Sequence, residues 1–144
     1  MYVILNYMTK YKWFLLTLFM VVWCWAAYKP VFPADWLLEN YLVFIWVPVI
    51  IFLGRYFKLS DVSYTFITIF MCLHVIGSHY TYSEVPFGDT LQVWFSSDRN
   101  MYDRLVHFSF GLLLAYPVRE VFMRIAKVKG FWGYYFPIDL VLAF

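Results

Sequence analysis

The sequence contains little charge and almost no cysteine. Only 14% of its 144 residues are Asp, Glu, Lys or Arg, and the formal net charge is +2. No segment has a run of Lys or Arg able to follow the phosphates of a nucleic acid, so nucleic-acid binding is excluded as a function. The two cysteines, Cys24 and Cys72, lie inside apolar stretches. A thiol in that setting is typical of packing and indicates neither a disulfide nor a metal ligand.

Apolar and aromatic side chains dominate the composition instead. Hydrophobic residues make up 64% of the chain and aromatic residues 25%, and the mean hydropathy is +0.68. A soluble domain of this length has too small a core to bury so much apolar surface. Many of the rings flank charged or proline-containing segments, which is typical of side chains at a membrane interface. The composition therefore predicts an all-α fold, a polytopic transmembrane helix bundle.

Long apolar runs predict where the chain crosses the bilayer. Four crossings are predicted, at about 13–28, 36–57, 62–78 and 102–125. The first run also fits a signal peptide, but its aromatic end is a poor cleavage site and more spans follow, which favours a crossing. Pro48, inside the second run, predicts a kink that neighbouring helices tolerate rather than a break.

A fifth apolar segment, 131–144, is shorter than the roughly 20 residues that a crossing needs. It predicts an incomplete fifth span or, alternatively, a short interfacial or re-entrant helix. The chain has no internal repeat, low-complexity tract or linker, which predicts one transmembrane domain over 1–144.

The charges between the apolar runs alternate in sign and predict the topology. Basic residues concentrate in one set of turns: Lys10, Lys12, Arg55, Lys58, Arg124, Lys127 and Lys129. The opposite turns lean acidic. The positive-inside rule assigns the basic turns, and with them the N-terminus, to the cytoplasm. The longest connection, from His79 to Met101, then faces the periplasm or the cell exterior.

Ionisable side chains cluster around this outer connection. Membrane helices rarely carry such groups without a function, because each costs about 3 kcal/mol or more at the bilayer centre. If the third and fourth spans are neighbours, several of these groups converge near the outer surface. The candidate catalytic residues are His79, Glu84, Asp89, Asp103 and His107.

Asp103 and His107 form the strongest pair among these candidates. A spacing of four residues puts both on one helix face, where the carboxylate can hold the imidazole or both can bind one metal ion. Gly111 continues this face and allows close approach of a helix or substrate. With His79 they are the predicted metal ligands, and mixed imidazole and carboxylate ligands suit Zn, Mn or Fe.

Structural roles remain open for several polar residues. Asp103 alternatively only caps the N-terminus of its helix. His74, in an apolar helix, is more typical of a packed and hydrogen-bonded histidine than of a ligand. The neighbours Arg119 and Glu120 suggest a buried ion pair, but an arginine that extends to the membrane surface explains them equally well.

Four polar segments together carry a pattern over roughly the last two-thirds of the chain: His74-x-x-Gly77-x-His79-Tyr80-Thr81-Tyr82, Val85-Pro86-x-Gly88, Arg99-Asn100-x-Tyr102-Asp103-Arg104-x-x-His107-Phe108-x-x-Gly111, and Arg119-Glu120. The pattern closely resembles the YjdF-like family of bacterial inner-membrane proteins, whose domain has no known function. The resemblance implies a multi-pass helix bundle in the bacterial inner (cytoplasmic) membrane. It does not indicate which reaction, if any, the protein catalyses. Asp103, His107 and Gly111 are also similar to the short Asp-x-x-x-His motif of VanZ-like membrane proteins.

Three classes of function are compatible with these residues. The first is an enzyme whose outward-facing site, with a divalent metal, activates water or a hydroxyl against a lipid-linked or envelope substrate. The second is a non-catalytic subunit that docks other membrane proteins through the polar loop. The third, a proton-coupled transporter of a small solute, is less favoured because the polar residues do not continue inward. The lipid bilayer is the partner common to all three.

Overall fold

A computed structural model describes residues 8–54, 56–124 and 127–142. All regular structure in these ranges is helical, which confirms the predicted all-α fold. The helices are α1 (Lys10–Ala27), α2 (Pro33–Leu53), α3 (Asp61–Tyr80), α4 (Pro86–Trp94), α5 (Tyr102–Arg124) and α6 (Trp132–Leu142).

Three of these helices are long and apolar enough to cross a membrane. They are α2 over Pro33–Phe52, α3 over Asp61–Tyr80 and α5 over Tyr102–Arg124. They correspond to the second, third and fourth predicted crossings. Helix α1 has 18 residues, but its first turn carries two lysines. Helix α6 has 11 residues, fewer than the roughly 20 of a crossing.

Local sequence explains where the long helices begin and end. The Ser60 hydroxyl oxygen accepts the backbone N–H of Ser63 at 3.3 Å and so caps the first turn of α3. Helix α2 continues through Pro48, as predicted. It ends at Leu53, four residues before the predicted limit of its apolar run at Phe57. That run overestimates the helix because hydropathy continues into the aromatic connection.

Helix α1 runs parallel to α3 along its whole length. Near their starts, the Tyr11 hydroxyl hydrogen-bonds the Thr65 hydroxyl at 2.6 Å. Near their ends, Nδ1 of His79 hydrogen-bonds the Ala26 carbonyl oxygen at 2.9 Å. Two helices joined at both ends occupy the same depth in the bundle.

Helices α2 and α5 run antiparallel to α3. The Asn40 amide, in the first half of α2, donates to the Ser78 hydroxyl near the end of α3 at 3.3 Å. Glu120, near the end of α5, instead accepts from Ser60 at the start of α3. One end of the bundle, the basic end, therefore combines the start of α1, the α2–α3 connection and the end of α5. The opposite end, the α4 end, carries α4.

Apolar contacts fill the space between α1, α2 and α3. The core residues there are Phe19, Ala26, Val43, Met71 and Val75, and a second cluster of Val85, Tyr102 and Val106 joins α5 to the α4 end. Cys72 packs against the first cluster, as predicted, whereas Cys24 is exposed. Large apolar side chains such as Leu38 and Ile45 remain exposed on α2, as suits contact with lipid tails.

At the basic end, Glu120 pairs with a different arginine from the one suggested by sequence. Nη2 of Arg124 lies 2.8 Å from Oε1 of Glu120, one helical turn away. The Arg119 guanidinium instead lies over the Tyr134 ring of α6, 4.4 Å from its centroid. Of the two interpretations left open by the sequence, the Arg119–Glu120 ion pair is wrong, because adjacent residues of a helix point about 100° apart while residues four apart share a face.

Candidate functional site at the α4 end

Three polar side chains, one buried and two half-buried, lie where α2 and α3 meet the turn after α3. The Tyr82 hydroxyl hydrogen-bonds Nδ1 of His74 at 2.6 Å, and the Glu39 carboxylate acts on it electrostatically. Nε2 of His74 lies 3.2 Å from the Glu39 carbonyl oxygen. His74 is only 5% exposed. We call these three residues, Glu39, Tyr82 and His74, the relay.

Proton accounting fixes the roles of the two His74 nitrogens. The Glu39 carbonyl oxygen only accepts, so Nε2 of His74 carries a proton. A neutral His74 then accepts the Tyr82 hydroxyl proton at Nδ1. A protonated His74 instead donates Nδ1–H to the phenol oxygen, which turns the phenol proton toward its other neighbours. The His74–Tyr82 hydrogen bond therefore reverses its direction when His74 gains or loses a proton.

An unusual turn fixes the Tyr82 ring in this position. Thr81 and Tyr82 have φ angles of 60° and 58°, in the left-handed region that non-glycine residues seldom adopt. The Tyr82 backbone N–H donates to the Gly77 carbonyl oxygen at 2.8 Å and so turns the chain back onto α3. The ring then lies against Gly77, where a side chain would collide with it. Backbone strain of this kind is concentrated at functional sites.

The surroundings of Tyr82 keep its phenol protonated. Burial raises the pKa of Tyr82 above its ordinary value, and the nearby Glu39 and Asp103 carboxylates raise it further. A phenol that stays protonated can donate its own proton to one partner while it accepts a proton from another. It therefore transfers a proton without becoming a phenolate. Tyr82 is therefore suited to be the middle member of the relay.

The raised Tyr82 pKa predicts a loss of stability in alkali that depends on this one phenol. The folded protein holds the proton above pH about 10, where the unfolded chain releases it. The contribution of Tyr82 is therefore complete below pH about 10 and is lost as pH rises through the folded pKa. Thermal unfolding in detergent between pH about 8 and 12 should show a shallower alkaline decline in Tyr82→Phe than in the wild type. The control is Tyr41→Phe, at an exposed tyrosine, whose thermal stability should fall with rising pH as steeply as that of the wild type. A fall in the thermal stability of Tyr82→Phe as steep as in the wild type would contradict the prediction.

A second group of polar contacts supports the relay from the α1 side. Asn40, adjacent to Glu39, is fully buried, and its side-chain oxygen accepts the Trp23 indole N–H at 2.8 Å. Its amide donates to the Trp36 carbonyl at 2.7 Å and to Ser78. These bonds fix the first half of α2 against α1 and α3. They therefore also fix the position of Glu39.

The structure brings together two of the predicted site residues. Oδ1 of Asp103 lies 3.4 Å from Nε2 of His107, as the spacing of four predicted, with side chains 51% and 68% exposed. The cap at the start of α5 comes from Asn100, whose side-chain oxygen accepts the Tyr102 N–H at 3.0 Å. The Asp103 carboxylate also acts electrostatically on Tyr82, which places the exposed pair near the relay.

The other three predicted residues have different surroundings. His79 is buried against α1, where its ring stacks on Trp25 at 4.9 Å between centroids. Glu84 is exposed in the turn before α4. Asp89 accepts the Asn100 amide at 2.7 Å and so ties α4 to the start of α5. Within the described ranges, no three or more His, Cys, Asp or Glu side chains form a group that could hold a metal ion.

Comparison with known proteins identifies the family. Residues 11–144 match the family described as "Predicted membrane protein (DUF2238)". The Escherichia coli K12 protein named "Inner membrane protein YjdF" is 37% identical over 95 residues, which cover 66% of this chain and 46% of that protein. The chain thus spans about half the length of this relative. No solved structure matches. The resemblance to YjdF-like proteins is confirmed, and the chain belongs to the DUF2238 family of predicted membrane proteins.

Proposed function

We propose that this membrane protein is an enzyme that performs acid–base chemistry on a lipid-linked or envelope substrate at the outer face of the membrane. The observation that carries the proposal is the hydrogen bond of the Tyr82 hydroxyl to the buried His74 at 2.6 Å, with the Glu39 and Asp103 carboxylates acting on the same phenol. A hydrogen bond that reverses its direction can deliver a proton on one side while it takes one up on the other.

Two groups of residues have separate roles in the proposed reaction. Asp103 and His107 are exposed, so they are the groups that contact the substrate. His107 exchanges a proton with the reacting atom, and Asp103 orients its imidazole. The relay holds the compensating proton behind them. His79 holds α1 against α3 and Asp89 ties α4 to the start of α5, which positions these helices around the pair.

The donor set favours proton transfer over a metal centre built by the described residues. Asp103 and His107 supply two of the predicted ligands, but no third His, Cys, Asp or Glu of the described ranges joins them. A catalytic zinc site ordinarily needs three protein ligands. The proposed reaction therefore runs through Tyr82, His107 and the carboxylates.

The proposed site requires a topology, which we place in the bacterial inner membrane with the N-terminus in the cytoplasm. Helix α1 would be a fourth crossing, since hydrogen bonds at both ends hold it level with α3. Helix α6 would begin a fifth. The basic end, with Lys12, Lys58 and Arg124, would face the cytoplasm by the positive-inside rule. The α4 end and the relay would face the periplasm.

Lipid turnover by the full-length protein tests this function. The wild type is placed in nanodiscs of a bacterial polar lipid extract, and lipid species are quantified by mass spectrometry over time. Tyr82→Phe and Asp103→Asn should lower the rate of lipid conversion by about 100-fold, the ordinary contribution of a general acid or base. Asp98→Asn, an exposed acid of the same connection, is the control and should keep the wild-type rate.

The same preparations separate the proposal from its alternatives. Metal content by elemental analysis of the wild type and of Asp103→Asn tests whether a metal participates. A wild type that converts no lipid, together with a membrane partner that co-purifies with it and is lost from Asp103→Asn, would refute the enzyme and favour an accessory subunit.

A further inference from the structure

A cavity of about 340 Å³ opens at the basic end of the bundle. Its lining residues come from the α2–α3 connection and the last turn of α5: Tyr56, Phe57, Lys58, Leu59 and Arg124. Helix α2 ends and α3 begins on either side of this connection, and both are long and apolar enough to cross a membrane. In a membrane that both helices cross, their connection would lie at the depth of the lipid phosphates.

The charge at this cavity is positive. Lys58 and Arg124 both line it, and both side chains are exposed. The Glu120 carboxylate is turned inward, because it accepts the Ser60 N–H at 2.9 Å and the Ser60 hydroxyl at 2.9 Å. It partly neutralises Arg124 but leaves the lysine charge on the cavity.

Two contacts fix the Arg124 guanidinium in a conformation that can bind an anion. One Nη donates to the Lys58 carbonyl oxygen at 2.6 Å, and the other pairs with Glu120 at 2.8 Å. These contacts fix the guanidinium and also hold the Lys58 backbone against α5. A guanidinium with five donors keeps further N–H groups for a ligand. A fixed arginine loses less conformational entropy when it binds than a mobile one.

The apolar side of the cavity indicates what kind of anion fits. Tyr56 is 65% exposed and Phe57 is 38% exposed. Aromatic rings beside cationic groups at the membrane boundary suit a ligand with an anionic head and an apolar body. Free phosphate would use only the cations and leave the rings in water.

We propose that this cavity binds the phosphate of an anionic phospholipid. Lys58 and Arg124 contact the phosphate, while Tyr56 and Phe57 pack against the glycerol and the upper acyl chains. The site is at the opposite end of the bundle from the relay. Its test therefore does not depend on the proposed enzymatic function.

Native mass spectrometry of the full-length protein in detergent tests the site. Phosphatidylglycerol, phosphatidylcholine and inorganic phosphate are added separately at equal concentrations. The wild type should retain one phosphatidylglycerol and little phosphatidylcholine. Lys58→Gln should bind phosphatidylglycerol about fivefold more weakly, as expected for one lysine near an anionic headgroup. Lys10→Gln, at another exposed lysine of the basic end, is the control and should bind as the wild type does.

Two further results decide the assignment. Lys58→Arg should restore binding, which would show that the lost charge, and not a folding defect, weakens Lys58→Gln. Equal retention of phosphatidylcholine, unchanged binding by Lys58→Gln, or displacement of the lipid by an equal concentration of inorganic phosphate would each overturn the proposal. The last result would identify free phosphate as the ligand.

Discussion

Replacement of Glu120 by alanine should lower the free energy of unfolding by about 3 kcal/mol. Glu120 is 7% exposed and connects the end of α5 to the start of α3. Its carboxylate accepts the Ser60 N–H and hydroxyl, and also the Ser63 hydroxyl. The Ser60 N–H belongs to the first residues of α3, which have no partner within their own helix.

The expected cost arises from the donors that the substitution leaves behind. Ser63 is fully buried, so without Glu120 its hydroxyl loses an acceptor in a place that water does not reach. An unsatisfied buried donor costs about 1–3 kcal/mol. The Arg124 guanidinium also loses its partner, but it is 58% exposed and water replaces much of that interaction. The buried hydroxyl and the helix start therefore account for most of the effect.

Equilibrium unfolding in mixed detergent, followed by circular dichroism, measures this effect. Glu120→Gln keeps the shape and one acceptor oxygen, so its loss should lie between those of the wild type and Glu120→Ala. Asp98→Ala, at an exposed acid, should change stability by less than about 0.5 kcal/mol. Equal stabilities of Glu120→Ala and the wild type would show that α3 does not depend on this carboxylate.

Hydropathy predicted the long helices well because their lipid-facing surfaces are apolar over their whole length. The run at 62–78 became α3, Asp61–Tyr80, and the run at 102–125 became α5, Tyr102–Arg124. Helix α4 was not predicted. Pro86 and Gly88 are typical of a turn, and the helix depends on Asn100, which bonds the Val85 carbonyl and the Asp89 carboxylate.

The candidate site shows where prediction from a single sequence ends. Asp103 and His107 were found as a pair because one helix fixes the geometry of residues four apart. The relay was not found, because Glu39 and His74 are 35 residues apart and meet only when α2 packs on α3. The adjacent Glu39 and Asn40 inside an apolar run were the available indication, since polar residues in a predicted span mark an internal surface.

Gly77→Ala should displace the Tyr82 ring and break its bond to His74. An added Cβ at position 77 would lie 2.5 Å from Cδ1 and 2.5 Å from Cε1 of Tyr82, much closer than carbon atoms can approach. The ring cannot retreat freely, because its hydroxyl is bonded to His74 and its backbone N–H to the Gly77 carbonyl. Overpacking of this kind costs about 1–3 kcal/mol.

A double-mutant cycle isolates the collision from any other effect of alanine in α3. Gly77→Ala is measured in the wild type and in Tyr82→Ala, where the ring is absent. Alanine should destabilise the wild type by about 2 kcal/mol and should be nearly neutral in Tyr82→Ala. The histidine ¹⁵N spectrum of Gly77→Ala should also show a changed His74 environment, because Nδ1 loses its tyrosine partner. An equal cost in both backgrounds would mean that Gly77 serves the packing of α3 rather than the position of Tyr82, and the relay would lose the glycine that admits its central ring.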